Sequence, residues 1–223
     1  MCGRFTLTEK ALVTIADVLE AGIDPVLLEA YRPRYNIAPT STCCIVRLVD
    51  GSRWLSPATW GFPSSAGHLL INARSETAAR KPSFAGAFQA RRCIVPADGF
   101  FEWTGEKKRR RPIWLHPPSG GLIFFAGLWQ LLAGDQVAFT ILTTNAGDDV
   151  SPIHDRMPAI VPQSQVGRWL HEPAADLLMP APRGTLTPTA VSSRVNSVDH
   201  DDPSCLIPEP PEPPGSSRQS RLL

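Results

Sequence analysis

The chain has 223 residues, is 43% hydrophobic, and carries 22 Lys+Arg against 21 Asp+Glu for a net charge of +1. That supplies a core for one large domain or two small ones, and it excludes a globally basic nucleic-acid binder though not a local basic groove. No apolar run approaches the roughly 18 residues of a membrane span, and no basic-then-apolar leader opens the chain, so a cytoplasmic protein is expected.

In chain order, the first informative residue is Cys2 of Met1-Cys2-Gly3-Arg4-Phe5. Loss of the initiator methionine is efficient before a small side chain, and it leaves an α-amine and a thiol on adjacent carbons. The unperturbed values, roughly 7.7–8.0 and about 8.5, make both partly nucleophilic near neutral pH. Such a 1,2-aminothiol can form an imine with an aldehyde and close through sulfur to a thiazolidine. A frayed chain end is the plain alternative. Cys43, Cys44, Cys93 and Cys205 complete an odd set without a CxxC pair, which argues for a reducing compartment and against disulfides or a zinc site. No metal and no cofactor is expected.

Thr8 and Glu9 followed by Leu12, Ile15, Ala16 and Leu19 predict an amphipathic helix ending near Gly22. Strand signals then dominate over Cys43–Val49, Arg53–Trp60, Cys93–Trp103, Ile113–His116, Leu122–Trp129 and Val137–Thr144, separated by Gly and Asp turns. Short helices are expected over Ser75–Arg80 and Gln163–Leu170. The pattern is α+β: a single domain over 2–206 on an antiparallel, barrel-like sheet with a few short helices. Pro208, Pro210, Pro211, Pro213 and Pro214 mark 207–223 as a disordered tail.

Three polar clusters stand out. Asn72-Ala73-Arg74-Ser75-Glu76-Thr77 follows an apolar run and opens a helix, where Asn and Ser are ordinary caps. Glu102 lies between aromatics in Gly99-Phe100-Phe101-Glu102-Trp103; alternation puts Phe100 and Glu102 on one face, and an apolar setting raises a carboxyl pKa. An outward strand charge is the alternative. His154-Asp155-Arg156-Met157-Pro158 sets a histidine beside charged groups after Thr143-Thr144-Asn145, a setting for acid–base work or for a structural loop.

Together with Tyr35-Asn36-Ile37-Ala38-Pro39-Thr40 and Trp60-Gly61-Phe62, these motifs occur in one order that resembles the SOS response-associated peptidase (SRAP) family, across essentially the whole domain. The resemblance implies a protein that binds single-stranded DNA and crosslinks to abasic sites through Cys2. It implies that Asn72 orients the cysteine and the lesion, that Glu102 is the acid–base, and that His154 serves the sugar oxygen. Arg4, Arg74, Thr143 and Arg156 are the implied DNA contacts, with Pro39 and Trp60 beside neighbouring bases; a core position is the alternative for Trp60. The family pattern is departed from after Trp60-Gly61, in the Lys107-Lys108-Arg109-Arg110-Arg111 run and in the tail. That run is either a solvated turn or a phosphate contact.

The expected partner is single-stranded DNA containing abasic sites, met by a monomer at the nucleoid of a bacterial cytosol. Two other functions stay open at this point: a peptidase with Cys2 as nucleophile and His154 as base, limited to its own N-terminus or not, and a non-covalent single-stranded DNA module.

Overall fold

The computed structural model describes residues 2–64, 67–105 and 110–209. The first half runs β1 (Phe5–Leu7), α1 (Leu12–Leu19), β2 (Gly22–Ile23), α2 (Pro25–Ala30), β3 (Arg34–Ile37), β4 (Thr42–Val49), β5 (Ser52–Trp60), β6 (Phe62–Pro63), β7 (Leu69–Leu70) and β8 (Asn72–Arg74). Two helices follow, α3 (Ser75–Ala78) and α4 (Pro82–Ala90), then β9 (Arg92–Ala97), β10 (Gly99–Thr104), β11 (Arg111–His116) and β12 (Ile123–Leu131). The chain ends through β13 (Val137–Asn145), β14 (Arg156–Pro158), α5 (Val166–His171) and β15 (Thr187–Ala190), with 3₁₀ turns between.

Two sheets carry the architecture. One has the order β15-β11-β10-β1-β3; the other runs β14-β13-β12-β9-β4-β5-β2, with β8 beside β13. Because β13 also pairs with β5, strands β13, β12, β9, β4 and β5 close into a ring. The α+β, barrel-like expectation matches this arrangement, with one addition. The ring closes through a parallel pair, Ala138↔Thr59 and Phe139↔Trp60, and β8 also lies parallel to β13. Closure leaves the ring without an open edge and lets aromatics fill its interior.

The predicted strand over Cys93–Trp103 is two strands in two sheets. It turns at Asp98, whose carboxylate accepts from Thr6 Oγ1 and from the N–H and Oγ1 of Thr8. Gly99 makes the corner possible: a Cβ there would stand 2.2 Å from Trp114 Nε1. The first helix also ends early, at Glu20 with φ 50°, and not at Gly22. Gly22 is instead drawn into β2, where a Cβ would meet the Trp54 ring at 3.0 Å. The buried stripe Leu12, Ile15, Ala16 and Leu19 is the predicted one.

A main core of both sheets and the helices is joined by a smaller cluster of Phe101, Val191, Val195 and Cys205. Asn36 builds that second cluster. Its Nδ2 donates to the carbonyls of Ser197 at 2.9 Å and His200 at 2.7 Å, while Asp201 accepts from the Tyr35 and Asn36 amides and pairs with Arg34. Within the expected tail, residues 207–209 lie along β15, the Ile207 carbonyl accepting from Ser192 and the Glu209 amide donating to Ala190. Residues 210–223 and Lys107, Lys108 and Arg109 of the basic run lie outside the described residues. Among the described residues no helix is long and apolar enough to cross a membrane.

Candidate active site

Cys2, with Gly3 and Arg4, leads into β1, the strand held between β10 and β3, and is fully buried. Its thiol donates weakly to the Arg4 carbonyl at 3.6 Å. Asn72 opens β8, which the parallel pairing Asn72↔Ile141 fixes against the ring. From there Asn72 Nδ2 donates to the Cys2 carbonyl at 2.7 Å, joining the chain start to the ring. The plain alternative for Asn72, a helix cap, is not what the side chain does. Its Oδ1 is buried with no hydrogen-bond partner, an acceptor of the kind that costs free energy unless a donor arrives.

Glu102 sits on β10 opposite Ile113, only 3% exposed. The alternation read from the sequence places it correctly: Phe100 packs edge-on against Phe125 in the main core, while Phe101 and Trp103 turn to the second cluster. Burial raises the Glu102 carboxyl above the usual carboxylate range, against the pull of nearby positive charge that includes His154. Burial, and then the charge of Glu102, pushes the Cys2 thiol up far above its ordinary value. Cys2 feels the charge of Glu102, Glu102 that of His154, and Asn72 bonds the Cys2 carbonyl, so the four predicted groups lie within electrostatic or hydrogen-bond reach along one line of contact.

His154 lies in the turn between β13 and β14. Its Nδ1 stands 2.9 Å from the Arg156 N–H and 2.8 Å from Asp155 Oδ1. One nitrogen cannot accept from the first and donate to the second. The Arg156 amide is fixed by β14, whereas the Asp155 side chain is 86% exposed, so the amide sets the tautomer. Nδ1 is then the acceptor and Nε2 carries the proton in the neutral ring.

The six expected DNA contacts divide. Arg74 is exposed, and among the described residues its guanidinium makes no hydrogen bond or ion pair; Pro39, at the β3–β4 turn, is half-buried. Both remain at the surface. Trp60 does not: it is fully buried, donates Nε1 to the Ile71 carbonyl at 2.8 Å and stacks on Phe139, so it fills the ring. Thr143 is likewise buried inside β13. Arg4 donates to Asn36 Oδ1 at 2.7 Å and the Val195 carbonyl at 2.8 Å, which ties β1 to the C-terminal segment. Arg156 is held by Glu76, Asn145 and Thr143. Glu76 and Asn145 stood inside the motifs read from the sequence without a role, because only the fold shows what they face.

The family model for SOS response associated peptidases (SRAP) matches residues 1–198. The chain belongs to the SRAP family. Among curated relatives of this SRAP domain, abasic site processing protein YoqW of Bacillus subtilis (strain 168) is 35% identical over 226 residues, covering 92% of this chain and 99% of its own. Abasic site processing protein YedK of Escherichia coli (strain K12) is 33% identical over 182 residues, 77% and 80% of the two chains. The HMCES protein of Gallus gallus, of the same descriptive name, is 30% identical over 226 residues, 80% and 67% of the two chains. A solved structure from Bacteroides thetaiotaomicron shares the SRAP fold at a TM-score of 0.81 with 23% identity, over 93% of this chain and 100% of that one.

Proposed function

We propose that this SRAP protein processes abasic sites in single-stranded DNA by trapping the open C1′ aldehyde on Cys2 as a thiazolidine. The observation that carries the reading is the meeting of Cys2, Asn72, Glu102 and His154 at the chain start, in a family whose relatives are named for abasic site processing.

The burial of each group supports an order of steps. A thiol pushed up by burial and by Glu102 is a poor first nucleophile. The α-amine freed by removal of Met1 therefore attacks C1′, and loss of water gives the imine. Glu102, protonated more readily than an ordinary carboxyl, supplies the proton that lets the hydroxyl leave as water. The Cys2 sulfur then bonds to the imine carbon while its proton passes to nitrogen, closing the ring. One water leaves and nothing is oxidised or reduced. His154 with its proton on Nε2 is suited to hold the sugar oxygen during ring opening and in reversal. Asn72 fixes the Cys2 carbonyl, and its unfilled Oδ1 suits the incoming amine or a sugar hydroxyl.

The same burial weighs against a peptidase. Thiol–histidine cleavage needs a thiolate within reach of a base, and the Cys2 thiol is neither ionised readily nor hydrogen-bonded to a ring nitrogen. Incubation with abasic single-stranded DNA followed by a denaturing gel decides. The expected result is a shifted band that Cys2→Ala abolishes and intact DNA never produces. Binding without a covalent band would reduce the protein to a non-covalent module, and cleavage of a peptide panel would restore the peptidase.

A further inference from the structure

The Arg156 guanidinium is the most heavily engaged cation among the described residues. Its side chain is 9% exposed. Nη1 donates to Glu76 Oε1 at 2.5 Å and Asn145 Oδ1 at 2.7 Å; Nη2 donates to Glu76 Oε2 at 3.0 Å and the Thr143 carbonyl at 2.6 Å. Thr143 and Asn145 are both on β13, where Asn145, exposed like Glu76, pairs with Arg156 itself across the ladder. The charged partner differs. Glu76 is on α3 with its side chain 46% exposed, so it stands between the guanidinium and solvent. Two carboxylate oxygens across the two Nη atoms occupy the position in which a phosphate would bind an arginine end-on.

Two further observations point to exchange of that carboxylate. Arg156 Nε is buried without a hydrogen-bond partner, so the engagement of the guanidinium rests on its two Nη atoms, the pair that Glu76 spans and that an incoming phosphate would meet. Arg74, exposed and unpaired among the described residues, lies beside Thr143 in the β8–β13 pairing, so a strand that reached Arg74 would pass the same place. The Arg156 amide also holds His154 Nδ1, which couples this position to the acid–base group.

We infer that Glu76 is a built-in competitor for the nucleic-acid backbone, occupying the Arg156 guanidinium in the free protein and giving it up to a phosphate when a strand binds. This rests on the single-stranded DNA reading above and adds to it a residue that sets affinity. Held back by its own carboxylate, Arg156 contributes little to random contact with nucleic acid. It engages only where other contacts already hold the strand. Because Arg156 lowers the Glu76 carboxyl below its ordinary range, the competitor stays charged well into mildly acidic solution.

The test is Glu76→Gln, which keeps the shape and removes the charge, with Glu76→Asp keeping the charge on a shorter arm. Affinity for intact oligothymidylate is measured across a salt series. The Gln variant is expected to bind several-fold tighter than the natural protein, with the slope of log K against log salt little changed, because the Arg156–phosphate contact is made in both complexes. The Asp variant should stay near the natural protein. Equal or weaker binding by the Gln variant overturns the proposal and makes the pair a structural clamp. Inorganic tripolyphosphate supplies an arm free of nucleic acid: the Arg156 side-chain resonances should move at lower concentration in the Gln variant, and identical titrations overturn the proposal too. Failure of the natural protein to crosslink abasic DNA sinks the thiazolidine reading alone, since neither arm uses an abasic site.

Discussion

Glu102 shows how one buried residue can oppose the fold that holds it. Burial raises its carboxyl above the unfolded value, so the proton it keeps favours the folded state at low pH. That contribution is complete below the unfolded value and is lost as pH rises through the folded one. Glu102→Gln removes the ionisation, and the variant is expected to melt higher than the natural protein at pH 7, with the gap closing towards pH 4. Thermal denaturation at the two pH values checks this, and a variant that melts lower at pH 7, with the deficit closing towards pH 4, would mean that neighbouring positive charge, not burial, governs the group. The same variant should lose crosslinking, a gain in stability at the expense of function. The face of Glu102 was legible beforehand, because the two-residue period of a strand sets it with Phe100, but whether that face was buried was not, an outward strand charge standing as the alternative.

Between β9 and β10 a single residue decides whether the chain continues or turns. The run Cys93–Trp103 reads as one strand because every local signal is β-favouring, and Pro96 and Gly99 are too few to override them. What turns it is remote: Thr6 and Thr8 converge on Asp98, and Trp114 crosses closely above Gly99. Gly99→Ala would drive a methyl to 2.2 Å from Trp114 Nε1, also displacing that nitrogen from its 3.2 Å hydrogen bond to Thr6 Oγ1. Overpacking of this kind costs about 1–3 kcal/mol, and urea denaturation is expected to show a loss in that range. An unchanged midpoint would show that Trp114 moves aside freely. Because β10 carries Glu102, crosslinking should fall with the corner even though no reacting group is touched.

At the scale of the molecule, the closed ring accounts for the burial of Trp60. Ring closure between β5 and β13 places Trp60 beside Phe139, with Phe5 of the other sheet edge-on at 5.2 Å between ring centroids. Trp60→Ala should therefore cost about 3–5 kcal/mol of stability, the range for a buried aromatic. Its effect on DNA binding, measured well below the melting temperature, is expected to be no larger than the fraction unfolded. A selective loss of binding in a fully folded variant would return Trp60 to the DNA surface. The C-terminal segment is fastened just as globally, by Asn36 and Arg4 on one side and the pairing of 207–209 with β15 on the other.

What the sequence determined by itself was local or chemical. The period of α1, the alternation in β10, the strands read over Cys43–Val49, Arg53–Trp60 and Val137–Thr144, and the aminothiol of Cys2 all follow from neighbours within a few positions. The ordered motifs also named the four groups that meet. What only the tertiary structure decided was which polar and aromatic residues are already occupied. Arg4, Arg156, Thr143 and Trp60 look alike in sequence to residues that touch DNA, but their partners lie up to 192 positions away. A hydrogen bond or a ring contact depends on separation in space, and the fold alone makes Val195 a neighbour of Arg4 and Glu76 a neighbour of Arg156.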